Sequence, residues 1–304
     1  MMKSPVWRWV ATIGILGILL YVFDPLHAAE KLAAAAPALL FWSVIGVFVN
    51  LLLNATAYYA QLWRIRKIPF TRVMESVMRS WIVESVTPGK LGSFAVAWFW
   101  QKEGLSLGQG AAIALSYRVS LGILVLLFGV VGSYWVFPFV NQQPLMVVGL
   151  ILGVLLAGSG LFLFRSTWQK LLPLSWIKKL SGFTLAFQTV FLQPPIFVSL
   201  LLMGTIQLGI TSLIFQQLFA IAGYSVEWTT VLVATSLVQL AALAPISING
   251  IGIREGLMAV LLENVGVPSS VTIVVSGINT ATGYVLAFIF SIFWARVLIK
   301  KNDN

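Results

Sequence analysis

Six stretches of this chain, residues 7–23, 38–63, 107–136, 143–164, 194–222 and 268–295, stay apolar long enough to cross a bilayer, because a helix needs about 20 apolar residues to span about 30 Å of hydrocarbon. That pattern imposes one overriding condition. Inside lipid, every backbone N–H and C=O must find a partner within the protein, and long apolar runs meet this as helices. Apolar residues make up 59% of the chain and charged ones only 9%, with a mean hydropathy of +0.96, well outside the range of soluble domains. The expectation is an all-α polytopic membrane protein whose 304 residues leave no room for a soluble catalytic domain.

The net charge of +10 is a topology signal and not a nucleic-acid footprint. Thirteen of the 19 basic residues gather in four clusters between or beyond the apolar runs: Lys3 and Arg8; Arg64, Arg66, Lys67 and Arg72; Arg165, Lys170, Lys178 and Lys179; Arg296, Lys300 and Lys301. The loops at 24–37, 137–142 and 223–228 are poor in basic residues. The positive-inside rule assigns the clusters to the cytoplasm and these three loops to the outside. Both termini are then cytoplasmic, in a plasma (inner) membrane, provided that residues 73–103 and 229–264 each dip into the membrane and return. Residues 1–29 mimic a secretory signal and are read as an uncleaved first helix. The aromatic and basic stretch RSTWQKLLPLSWIKKL in the 165–192 loop suits a helix at the cytoplasmic interface.

The two returning segments are broken by turn residues, in ESVTPGKLGSF (84–94) and LAPISINGIGIREG (243–256). The pieces at 73–86, 92–103 and 252–264 are too short to span. The expected architecture is six spanning helices plus two re-entrant hairpins. Helix, helix, broken hairpin, helix appears in 1–136 and again in 137–304 with opposite topology, an inverted repeat. Pro88, Gly92 and Gly104 correspond to Pro245, Gly252 and Gly266. Arg118 and Asn279 each lie 11 residues into their helices, about 16 Å deep at 1.5 Å per residue. Paired Gly/Pro-interrupted segments in two inverted halves point to a substrate site where the halves meet.

A break strands backbone polar groups, and helices starting near Leu91 and Ile251 turn positive dipole ends inward, where anions are attracted. Lys90, Arg118 and Arg254, with Asn249 and Asn279, are the candidate headgroup ligands. Glu84 and Glu255 are the candidate pairing or coupling carboxylates; Pro88, Gly89, Gly92, Pro245, Gly250 and Gly252 form the breaks. The plainer reading makes Lys90/Glu84 and Arg118/Glu255 structural ion pairs, since an intramembrane charge costs at least about 2.5 kcal/mol without a partner. Glu75 and Arg79 form a local i,i+4 pair, and Trp81, Trp98 and Trp100 read as interface anchors. No cysteine and a single His27 exclude disulfides and histidine clusters. No metal site, cofactor motif or catalytic constellation emerges, and no enzyme is expected.

PISINGIGIREG (245–256) with LLENVGVP (261–268) resembles the C-terminal signature of the lysylphosphatidylglycerol synthase transmembrane region family, the flippase-like domain of aminoacyl-phosphatidylglycerol synthases. SVTPGKLGSF with KEGLSLGQGAAIALSYR (85–118) resembles its N-terminal signature. The resemblance implies a stand-alone flippase or lipid-linked precursor transporter, without the synthase domain, that moves an anionic or glycosylated lipid between leaflets. Two departures remove charge: Ser93 stands where the family often has glutamate, and Asn279 where arginine is common. A glycosylated prenyl phosphate therefore stands beside an aminoacylated phosphatidylglycerol as substrate. The alternatives are a carrier of a small soluble anion and a nontransporting partner of a lipid synthase or glycosyltransferase.

Overall fold

The computed structural model describes residues 6–87, 91–137, 182–191, 193–242 and 247–302. The expected span at 143–164 and the interfacial stretch at 165–180 lie outside them. All regular structure among the described residues is helical. The elements are α1 (Val6–Phe23), α2 (Pro25–Leu32), α3 (Ala36–Ile65), α4 (Phe70–Val86), α5 (Ala95–Gln101), α6 (Leu107–Val125), α7 (Gly132–Val136), α8 (Phe183–Phe191), α9 (Pro194–Ile221), α10 (Trp228–Ala241), α11 (Ile253–Glu263) and α12 (Ser269–Asn302). A π-helical turn, Leu126–Val131, joins α6 to α7.

Among the described residues, four stretches are long and apolar enough to cross a membrane: Pro25–Ile65, Leu107–Val136, Pro194–Ile221 and Ser269–Ile292. No more than 33% of the most apolar window of any of them is buried. Their remaining faces, including Phe41, Phe48 and Leu52 of α3 and Val285, Phe288 and Ile289 of α12, are exposed. Apolar surface on that scale is suited to lipid and costly in water.

The 24–37 segment is helical, not a loop. Pro25 takes a first-turn position, where its missing N–H costs nothing, after Asp24 in the left-handed region at φ 38°. The alanines that follow continue through a short 3₁₀ turn, Ala33–Ala35, into α3. Part of the expected 165–192 loop is likewise helical, as α8, and packs on α6.

Both broken segments are helix–turn–helix units of short pieces. α4 has 17 residues and α5 only 7, about 26 and 11 Å. α10 has 14 and α11 has 11, about 21 and 17 Å. None matches the roughly 30 Å of hydrocarbon. Each second piece ends in a glycine turn. Gly104 at φ 83° and Gly266 at φ 88° let Leu105 N–H reach Trp100 C=O at 3.2 Å and Val267 N–H reach Leu262 C=O at 3.1 Å, a left-handed helix stop open to glycine without steric cost.

Two buried cores hold these units. Around the first hairpin, Tyr58, Leu62, Trp100, Ile113, Tyr117 and Leu200 pack together. Around the second, Leu39, Phe219, Val231, Met258, Leu262 and Val275 do so. Trp100 is wholly buried and meets Tyr58 edge-on at 5.3 Å. It is a core residue and not the interface anchor expected from sequence, whereas Trp98 is 70% exposed. Small residues bring helices close, as membrane packing favours: a Cβ on Gly110 would lie 2.7 Å from Ala97 Cα, which ties α6 to α5.

Candidate functional site

The tips of the two hairpins touch. Asn249 N–H, in the second break, donates to Thr87 C=O, at the edge of the first, at 3.3 Å. Segments 162 positions apart in sequence thus share a main-chain hydrogen bond, which satisfies two of the groups that the breaks leave without helical partners.

Each turn is built by its own residues. At the first, the Thr87 hydroxyl accepts from Gly92 N–H at 2.8 Å, and Ser80 Oγ donates to the carbonyls of Gly92 and Ser93 at 3.2 and 3.0 Å. Only glycine fits at position 92: a Cβ there would lie 2.3 Å from Thr87 Oγ1 and 2.5 Å from Glu84 Cα. At the second, Asn249, Gly250 and Gly252 all have positive φ, 48°, 77° and 82°, tolerated by Asn and Gly but strained for most residues. Thr12 of α1 receives Ile248 N–H at 3.1 Å, and a Cβ on Gly252 would run into Ile15 of the same helix at 2.5 Å.

Arg118 pairs differently from the sequence expectation of Glu255, and Lys90, the expected partner of Glu84, lies outside the described residues. Arg118 Nη2 donates to Glu84 Oε1 at 2.9 Å, with both side chains mostly buried, and its Nε donates to Ser93 Oγ at 3.1 Å. Ser93, where the resemblance leads one to expect an acid, gives the guanidinium a neutral acceptor. Glu255 is 4% exposed and turned back on its own helix. It accepts from Gly252 N–H at 2.7 Å and from Thr280 Oγ1 at 2.7 Å. The sequence places it three residues past the cap position, where a carboxylate reaches the unpaired N–H groups of a first turn. The helix begins at Ile253, two residues past the expected start near Ile251, and its own Glu255 supplies the negative charge that its N-terminus attracts.

Beside the tip contact lies a cavity of about 190 Å³, whose lining includes Asn50, Asn54, Asn249, Arg254, Asn279 and Tyr284. Three expected site residues, Asn249, Arg254 and Asn279, are therefore brought together. Arg118 and Glu84 are absent from the lining. Lys90, Pro88, Gly89 and Pro245 lie outside the described residues. The Nε of Arg254 is buried and has no hydrogen-bond partner among the described residues. A buried unpaired donor carries a desolvation cost of about 1–3 kcal/mol, more on a charged group, so this side chain is suited to receiving an acceptor.

Sequence reading missed Asn50, Asn54, Thr211 and Tyr284, and also Trp81, which lines the cavity and was expected at the interface. It missed a hydrogen-bonded chain as well. Tyr117 OH donates to Gln207 Oε1, Gln207 Nε2 donates to Asn50 Oδ1 at 3.1 Å, and Thr211 Oγ1 donates to the same oxygen at 3.1 Å. The available signal was polar side chains at i,i+4 within apolar spans, the amides of Asn50 and Asn54 in one and the Gln207 amide with the Thr211 hydroxyl in another, since polar side chains at membrane depth require partners. The local Glu75–Arg79 pair is present at 2.6 Å. No group of three or more metal-ligating side chains occurs among the described residues.

Comparison with known families matches residues 8–291 to the lysylphosphatidylglycerol synthase TM region, nearly the whole chain. A comparison with curated proteins gave no match.

Proposed function

Because the chain belongs to the lysylphosphatidylglycerol synthase TM region family, we propose that it is a membrane lipid flippase or lipid-linked precursor transporter, moving a lipid between leaflets without making or breaking covalent bonds. The observation that carries this reading is the cavity beside the meeting point of the two broken hairpins, with the unpaired Arg254 guanidinium in its wall. In our reading, the hairpins are re-entrant, the halves 1–136 and 137–304 form an inverted repeat, and both termini face the cytoplasm of a plasma (inner) membrane. Discontinuous helices that meet near the midplane are how carriers of that architecture build a substrate site.

Arg254, Asn249 and Asn279 are the proposed headgroup contacts. Glu84 and Glu255 serve to hold Arg118 and the second turn, a pairing role. The acyl or prenyl chains stay in lipid, so the headgroup alone has to be sheltered from hydrocarbon. Reconstitution in liposomes tests this by leaflet exchange of fluorescent anionic and glycosylated lipids. The protein should accelerate exchange, and Arg254→Gln should slow it at least about tenfold, equivalent to about 1.4 kcal/mol. Exchange no faster than in protein-free vesicles across the panel would overturn the proposal. Transport of soluble anions alone would favour a small-anion carrier, and copurification with a lipid synthase or glycosyltransferase without lipid exchange would favour a partner protein.

A further inference from the structure

The cavity is walled by α3, α4, α9, the second break with α11, and α12, and the seams between these elements are held in two different ways. Hydrogen bonds close three of them. Gln207 and Thr211 of α9 donate to Asn50 of α3, Asn249 N–H of the second break reaches Thr87 C=O just past α4, and Thr280 of α12 donates to Glu255 of α11. The side between α9 and α12 is backed by the second core, in which Ile214 and Val275 are buried. Where α12 faces α3 and α4, no hydrogen bond crosses among the described lining residues. Aromatic rings meet there instead: Phe290 of α12 lies edge-on to Phe48 of α3 at 6.0 Å and to Trp81 of α4 at 6.3 Å.

This seam also joins the cavity to the lipid-facing surface. Trp81 belongs to both, as part of the cavity wall and as a partner of Phe290. On α3 the lining residues Val47 and Leu51 are each followed by an exposed one, Phe48 and Leu52; on α12 the lining residue Tyr284 is followed by the exposed Val285. Space lies on the same side. A Cβ on Gly283 of α12 would meet nothing within 4 Å, whereas one on Gly46, facing α9, would lie 3.2 Å from Ile214.

In hydrocarbon the two kinds of seam open at different cost. Parting a hydrogen bond strands polar groups where no water replaces the partner. Parting ring from ring exchanges one van der Waals contact for another, because a lipid chain is as apolar as the side chain it displaces. The volume of about 190 Å³ is below the roughly 300–1,000 Å³ of drug-sized sites, so a lipid whose headgroup occupies the cavity has to pass its chain out through a seam.

We infer that the seam between α12 and the α3–α4 pair is a binding site for the hydrocarbon chain of the cargo lipid: the segment next to the headgroup lies between Phe48, Trp81 and Phe290, and the three rings close on one another when the cavity is empty. The inference rests on the proposed function for the cargo being a lipid, and adds where the chain leaves the protein and which side chains it parts.

Two measurements test it. The chain has no cysteine of its own, so Phe48→Cys with Phe290→Cys introduces a single pair that a short bifunctional methanethiosulfonate bridges across the seam. In liposomes, bridging should slow leaflet exchange at least about tenfold, as for a blocked gating step, and reductant should restore it. Capping the same cysteines with methyl methanethiosulfonate, which joins nothing, should leave exchange unchanged. Exchange as fast in the bridged protein as in the capped one overturns the inference and leaves the transport reading in place. The second measurement uses the unaltered full chain in phosphatidylcholine nanodiscs and does not depend on transport or on any variant folding. Phosphatidylglycerol and a prenyl monophosphate, each carrying a diazirine on the chain beside the headgroup, are photolysed in turn, and the labelled residues are mapped by mass spectrometry. With at least one probe, labelling at Phe48 or Phe290 should be lost under an excess of the same lipid without the diazirine, while labelling of the exposed α9 residues Val198 and Leu202 should persist. With both probes, labelling that competes equally on the two faces, or that does not compete at the seam, overturns the inference. Competed labelling at the seam in a protein that exchanges no lipid would sustain the chain site and remove the transport reading.

Discussion

Replacing Glu84 by glutamine tests the most consequential contact of the first hairpin. Glu84 ends α4 and Arg118 sits inside α6, 34 positions away, so their ion pair fixes the hairpin to a spanning helix. At 2.9 Å two unit charges attract by about 6 kcal/mol at an effective dielectric near 20. Desolvation removes a large part of this, and measured losses on removing one partner of a buried pair run about 3–5 kcal/mol. The side chains here retain 20% and 16% exposure, and Ser93 still accepts from Nε, so we expect a loss at the low end of that range or somewhat below it, about 2–4 kcal/mol. Glu84→Gln should therefore destabilise the protein strongly, and Arg118→Met added to it should restore part of the loss, because the uncompensated charge is gone. Glu75→Gln, which breaks pairs within one helix turn, should cost under about 1 kcal/mol. Denaturant titration in detergent followed by tryptophan fluorescence, run as a double-mutant cycle, gives the coupling energy directly. A coupling below about 0.5 kcal/mol, or a Glu84→Gln effect no larger than that of Glu75→Gln, would refute the reasoning.

Gly92→Ala should destabilise the fold by at least about 2 kcal/mol, since its Cβ would overlap Thr87 Oγ1 and the Glu84 backbone; a thermal midpoint equal to that of the parent would contradict the geometry of the first turn. Gly252→Ala combines a positive φ with a clash against Ile15, and protease sensitivity of the α1–α11 region should rise. Gln207→Leu leaves Tyr117 OH without its acceptor and removes one donor to Asn50, for an expected loss of about 1–3 kcal/mol, read in the same titration. Glu255→Gln should cost about 1–2 kcal/mol through the weakened cap, with Glu255→Ala costing more because Thr280 also loses its acceptor.

How much of this was legible in the sequence depended on how far each signal reaches along the chain. Span positions follow from local hydropathy, and the starts of α6 at Leu107 and α12 at Ser269 agree with the apolar runs to within a residue. The breaks were legible because glycine spacing acts locally, as Gly250 and Gly252 show through their positive φ. Charge partners were not. Arg118 could be paired from the sequence with Glu255 or with Glu84, and only the fold, which brings the last turn of α4 within reach of the guanidinium, selects Glu84. The fate of Glu255 was readable in principle, because its offset from Gly252 is a capping spacing, but the adjacent Arg254 invited a salt-bridge reading. The polar wall escaped attention for a different reason: Asn50, Asn54 and Gln207 sit in apolar runs whose average hydropathy conceals single amides, and their mutual contacts join α3 to α9 across more than 150 residues.

The hydrogen bond between Asn249 N–H and Thr87 C=O joins main chain to main chain. No side-chain exchange at either position removes the atoms that form it, and only proline at 249 would delete the donor. The link between the two hairpins is thus insulated from ordinary sequence drift: neighbouring cavity residues can be replaced to suit another occupant while the contact that brings the hairpin tips together persists. Recognition and assembly are carried by different parts of the same few residues, which leaves the site free to diversify on a fixed frame.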